Sequence, residues 1–260
     1  MPKFISPKFI AIAQIVIGSI LLWALVKISS GWLLLLWFAV QLGLWLLFTN
    51  LSIRFGKITA YSHLFSLFIF LIGAMFYLLF IDWTWSWRVV GTLLVLMPAA
   101  SFWLIPVSAE QALVSDRQNR RVQFWLCQIG LAGIWSGAFA IPSFQIFYNA
   151  SGLWWILLAT AVSTVVAAWW WKIYGVTTNT RYWLWVLVWP LLNLEWCYLM
   201  THLPFGHLTA GLMQAWVFYS FWLIIRFHLS EGVDWPKQRW FLSFNIAAVI
   251  IFVSLIARWK

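Results

Sequence analysis

Phe9-Ile-Ala-Ile-Ala-Gln-Ile-Val-Ile-Gly-Ser-Ile-Leu-Leu-Trp-Ala-Leu-Val26 runs for 18 residues without a charge or a proline, between Lys8 and Lys27. As a helix it would rise about 27 Å, close to the roughly 30 Å of a bilayer's hydrocarbon core. The run is longer than the apolar region of a secretory signal, and no small-x-small cleavage site precedes Lys27. It therefore reads as an uncleaved first membrane helix.

The same pattern recurs. Further apolar runs cover 32–48, 61–81, 89–107, 122–147, 153–171, 182–201, 208–225 and 241–257. With 9–26 they predict nine transmembrane helices in a single transmembrane domain over 1–260. Of the 260 residues 64% are hydrophobic and 8% charged, against roughly 25% charged in soluble domains. No soluble interior of this size could hide so much apolar side chain. The expected fold class is all-α: a polytopic helical bundle integral to the membrane, with the lipid bilayer as its first partner.

Charge orients the bundle. The net charge of +10 comes from 16 basic residues scattered in twos and threes between apolar runs. No basic patch is interleaved with base-reading side chains, so nucleic acid is not an expected partner. With the N-terminus inside, twelve basic residues fall in inner loops, and only Lys27, Arg88, Arg258 and Lys260 fall outside. That asymmetry matches the positive-inside rule and places the C-terminus outside. Fourteen of the 24 tryptophans fall at span ends, at positions 32, 83, 85, 87, 154, 155, 169–171, 183, 185, 235, 240 and 259, as an aromatic belt requires. The other ten lie deeper and need partners for their N–H groups.

Smaller features are read the same way. Ser108–Arg121 is the longest polar segment, and Ser108 with Gln111 has capping-box spacing, so it reads as a solvated loop or short surface helix. Gly133 and Gly137 form a GxxxG that predicts close packing between helices of the same chain. Pro98 and Pro106 predict a kinked fourth helix, and Pro190 a bend in the seventh. Asn149-Ala-Ser151 has the form of a glycosylation acceptor, meaningful only in a eukaryotic secretory context. Cys127 and Cys197 read as small buried hydrophobes. His63, at the inner end of the third run, reads as an interface residue.

Chemistry has few places to sit. There are six acids, and Glu110, Asp116, Glu231 and Asp234 fall in inner loops among arginines and lysines. Asp82 and Glu195 fall on the outer side, with Arg88, His202 and His207. Glu195 lies six residues before Thr201, so about 9 Å of helix separates it from the outer interface. A carboxylate at that depth is costly unless paired or solvated, which makes it a functional candidate. Tyr198 and His202, at i+3 and i+7, share its helix face. The candidate polar site is therefore Glu195, Tyr198, His202, His207, Arg88 and Asp82. Pairing of Glu195 with Arg88 or a histidine is the structural alternative to a pocket. His202-x4-His207 in a loop with Pro204 and Gly206 has no strong metal spacing, and neither a metal nor a cofactor is expected. No catalytic residue is assigned: the sequence contains no GxSxG, Walker loop, GxGxxG or HExxH.

Glu195-Trp196, then Leu203-Pro-Phe-Gly206, then the apolar run to Trp222 resemble an uncharacterised family of multi-span proteins from candidate-phylum bacteria. The resemblance covers about a quarter of the chain; it implies a bacterial inner-membrane location and no activity. The function expected from the residues is a non-enzymatic membrane component that packs with a lipid or another membrane protein. The alternatives are a small transporter for a hydrophobic or cationic solute using Glu195, and a lipid-modifying enzyme using Glu195, His202 and His207. The scarcity of ionisable residues favours the first over catalysis.

Overall fold

The computed structural model describes residues 6–28, 30–52, 57–80, 84–105, 109–143, 152–230, 235–252 and 254, excepting the side chains of 57–60, 109–116, 143, 235 and 237. Among the described residues the regular structure is helical. The helices are α1 (Pro7–Lys27), α2 (Gly31–Ser52), α3 (Lys57–Phe80), α4 (Thr84–Trp103), α5 (Ala109–Ala140), α6 (Gly152–Ile173), α7 (Thr180–His202), α8 (His207–Leu229) and α9 (Trp235–Ile251), with a short 3-10 turn at Ile141–Ser143. Eight of them, α1 to α8, are long and apolar enough to cross a membrane. In lipid no water is at hand for free N–H and C=O groups, so the helix, which satisfies them internally, is the form such runs must take. The apolar helical part of α9 covers only Gln238–Ile251. The predicted ninth span, 241–257, lies partly outside the described residues.

The helix ends follow local chemistry. Pro7 opens α1, where its missing N–H removes nothing. The side chain of Asn179 accepts a hydrogen bond from the Tyr182 amide at 2.9 Å and starts α7. Gly175, at φ +84°, closes α6: its amide donates to the Lys172 carbonyl and that of Val176 to the Trp171 carbonyl, a Schellman ending that only a residue tolerating the left-handed region makes without strain. Helices α4 and α7 continue through Pro98 and Pro190. Pro106, Asn149 and Ser151 lie outside the described residues.

The fifth segment departs from the sequence reading. The polar stretch read as a loop or separate surface helix is, from Ala109 onward, the beginning of a single 32-residue helix. At 1.5 Å per residue α5 is about 48 Å long, more than the hydrocarbon core. The predicted span 122–147 therefore begins earlier and ends earlier, because Pro142 cannot continue the helix ladder. Within its apolar window 78% of α5 is buried, against 22% for α1, α2 and α7. Asn119 and Gln123, one turn apart near its start, face the protein and not water.

By contacts the chain divides into two units, 1–130 and 131–260, with the boundary inside α5. In the first, α1 packs on α2 and α4, and α3 packs on the same two helices. Its core is built around Trp37, Trp45, Phe70, Leu71, Phe102 and Leu126. The tightest approach is between α3 and α5: a Cβ on Gly73 would fall inside the van der Waals envelope of the Gly130 carbonyl, and one on Gly130 inside that of the Ile69 carbonyl. Gly130 lies one turn before the predicted GxxxG pair; Gly133 and Gly137 are themselves buried. In the second unit α6, α7 and α8 pack on one another and α9 on α8. Here Gly211 of α8 meets the backbone and hydroxyl of Ser136.

The tryptophans divide differently from the expected belt. Trp32, Trp85, Trp154, Trp183 and Trp240 are well exposed, as predicted. Trp170 and Trp171 are fully buried, because the end of α6 is covered by α7 and α8. Trp23, Trp103 and Trp125, expected deep, are exposed instead. Several deep indoles find partners across helices: Trp37 donates to the Leu21 carbonyl (2.7 Å), Trp45 to Gln14 Oε1 (3.0 Å), Trp135 to Ser163 Oγ (3.0 Å) and Trp216 to Asn245 Oδ1 (3.1 Å). Cys127 and Cys197 are buried thiols, as expected.

Candidate functional site

Glu195 sits on α7, and its surroundings follow from helix periodicity. Tyr182, Trp189, Asn193, Cys197 and Met200 face the protein. At the complementary spacing Leu184, Leu187, Leu191, Glu195, Tyr198 and His202 form an exposed stripe with steps of three and four residues. Leu187 is 73% exposed and Tyr198 66%. Glu195 is thus the acid in a leucine-rich, outward-facing seam, seven residues before the helix ends. Among the described residues no hydrogen-bonding or ion-pairing group reaches its carboxylate.

The structure brings Glu195, Tyr198 and His202 onto one face, as their spacing predicts. The Tyr198 and His202 rings lie 4.3 Å apart. His202 Nδ1 is 2.8 Å from the Tyr198 carbonyl. A carbonyl only accepts, so Nδ1 carries a proton and donates to it. Thr201 Oγ1 donates to the same carbonyl at 2.7 Å. His207 is half-buried at the first position of α8. Arg88 belongs to the first unit, where it is exposed with its guanidinium 5.4 Å from the Trp85 ring centroid. Asp82 lies outside the described residues. Among the described residues no group of three or more His, Cys, Asp or Glu side chains could hold a metal ion.

The first unit contains a second polar centre, which sequence reasoning did not find. His63, near the start of the apolar part of α3, is fully buried among its neighbours. Its Nε2 is 3.0 Å from Ser101 Oγ, and Ser101 commits its own proton to the Pro98 carbonyl at 2.7 Å. The imidazole therefore donates from Nε2, and Nδ1 accepts from the Thr49 hydroxyl at 3.4 Å. Beside it Ser62 donates to Gln123 Oε1 (3.3 Å), and Gln123 Nε2 to Asn119 Oδ1 (3.1 Å). The same relay occurs in the second unit, where Ser163 accepts from Trp135 and donates to the Ala159 carbonyl at 2.8 Å. These neutral networks join α2 to α4, α3 to α5, and α5 to α6, with the buried amide nitrogen of Asn119 left over among the described residues. The signal available in sequence was the alignment of Thr49, Ser62, His63, Ser101 and Gln123 at one depth, visible only once the spans are folded antiparallel. Interhelical hydrogen bonds in membranes average about 0.6 kcal/mol. His63→Leu is therefore expected to lower unfolding free energy by only about 1 kcal/mol, read as a shift in a detergent denaturation curve.

Fold and site together define a polytopic helical membrane protein with, among the described residues, one acid on an outward helix face. No protein-family model matches the chain, and neither does any curated protein or solved structure. The resemblance of the Glu195–Trp222 region to a bacterial multi-span family receives no support from these comparisons.

Proposed function

We propose that the protein is a non-enzymatic membrane component that docks another membrane protein along α7, with Glu195 as the polar contact. The exposed Glu195 carboxylate within the Leu184–Leu187–Leu191 seam carries this reading. A carboxylate turned toward lipid is costly by several kcal/mol, and acids in membrane spans are normally turned inward or paired. Packing of α7 does not depend on Glu195, since the helix buries Tyr182, Trp189, Asn193, Cys197 and Met200 on its other face. The complement of that carboxylate is a transmembrane helix bearing Arg or Lys at the depth of Glu195. A second copy related by a two-fold axis would bring two Glu195 carboxylates to one depth and repel. The partner is therefore a different chain. A bacterial cytoplasmic membrane is the location we propose, implied by the sequence resemblance alone.

Two measurements test this. Glu195→Gln should shift the melting temperature of the purified protein by less than about 2 °C, because no partner among the described residues is lost. A photo-crosslinking amino acid at Leu191, in native membranes, should give an adduct with a second protein whose crosslinked span contains Arg or Lys, and Glu195→Gln should reduce that adduct several-fold. Adducts with lipid or with the chain itself alone would refute the reading.

A further inference from the structure

A cavity of about 410 Å³ opens in the first unit where α1 and α3 end and α2 and α4 begin. Its volume lies within the roughly 300–1,000 Å³ typical of ligand sites. Eight of its ten lining residues are apolar, Leu25, Ile28, Leu34, Met75, Leu78 and Trp87 among them, and Ser30 supplies the one side-chain hydroxyl. A polar solute would find almost nothing there to replace its hydration; an acyl chain would. The rim has the opposite character. Lys27 stands between the lining residues Val26 and Ile28 and is exposed, and Arg88 follows Trp87 and is exposed over Trp85. The first turns of α2 and α4 carry no acid. Their free N–H groups therefore add positive potential at the mouth, as helix N-termini do. In sequence the connections at this end contain one acid, Asp82, against the two cations.

We infer that this cavity binds an anionic phospholipid, one acyl chain inside and the phosphate between Lys27 and Arg88. The charge pattern of the sequence assigns this end to the outer leaflet. The site is independent of the α7 seam, so either reading can fail without the other.

The test uses the full chain in detergent with equimolar phosphatidylglycerol and phosphatidylcholine, and native mass spectrometry to count retained lipids. Phosphatidylglycerol should be retained in preference, and Lys27→Gln with Arg88→Gln should remove the preference, at about five-fold per cation near the surface. Leu34→Trp, which fills the cavity, should reduce retention of phosphatidylglycerol at unchanged charge. Equal retention of the two lipids by the unmutated chain would overturn the inference. So would full phosphatidylglycerol retention by a folded Leu34→Trp variant, which would mean headgroup adsorption outside the cavity. If that variant does not fold, thermal melting of the unmutated chain decides: a higher melting temperature with phosphatidylglycerol than with phosphatidylcholine supports the site, and equal values overturn it.

Discussion

Gly73→Val is expected to eliminate the folded first unit. The atoms that an added side chain would meet are the carbonyl and Cα of Gly130, and the atoms opposite Gly130 are the backbone of Ile69 and Phe70. A flexible side chain could rotate away; helix backbone can yield only by separating α3 from α5. Ordinary overpacking costs roughly 1–3 kcal/mol, and here the clash is with the main chain, so the penalty approaches the net stability of a domain, about 5–15 kcal/mol. Size-exclusion chromatography and thermal melting in detergent provide the check, with Gly43→Ala as control, since a Cβ at Gly43 meets nothing within 4 Å. A Gly73→Val protein that is monodisperse and melts like the parent would show that the α3–α5 approach does not hold the unit together.

Trp171→Ala should have the next largest effect, in the second unit. The Trp171 ring is fully buried, edge-on to Trp189 at 5.4 Å and to Tyr182 at 6.3 Å, and its N–H donates to the Trp222 carbonyl at 3.2 Å. In water, deleting such a side chain costs about 3–5 kcal/mol. In a membrane the separated helices lie in lipid as apolar as the core, so the transfer part is smaller and the lost packing remains. The expected loss is therefore on the order of 3 kcal/mol, the lower end of that range. Trp183→Ala, on the exposed side of the same interface region, should change stability by less than 1 kcal/mol or so. A denaturation series comparing the two variants separates packing from belt anchoring; equal losses would contradict the burial pattern.

The contrast between these tryptophans shows where sequence reasoning stopped. Trp171 and Trp183 both stand near a span end beside basic residues, and both read as belt positions. Lys172 and Arg181 give the same local signal to each. Only the covering of α6 by α7 and α8 turns Trp171 inward. The polar run 108–121 failed for a related reason. Arginines and glutamines read as loop, yet once α5 is continuous, Gln123 meets Ser62 and donates in turn to Asn119, which gives these polar side chains partners inside the bundle. The Glu195, Tyr198, His202 grouping was legible because it lies on one helix and depends only on periodicity. His63, Thr49 and Ser101 come from three helices, and no spacing along the chain announces them.

What the sequence determined by itself is the membrane class, the number and approximate place of the first eight spans, the fifth being shifted, and the shared face of Glu195, Tyr198 and His202. Length and apolarity are local demands of the bilayer, met by each segment without reference to its neighbours. Tertiary structure alone decided how each helix is rotated. In water a helix has a polar and an apolar side, and the sequence shows which faces the core. In lipid both sides are apolar and association is driven by packing and hydrogen bonds between helices. The direction in which Glu195 points, the burial of Trp171 and the meeting of Gly73 with Gly130 therefore appear only when the helices are packed.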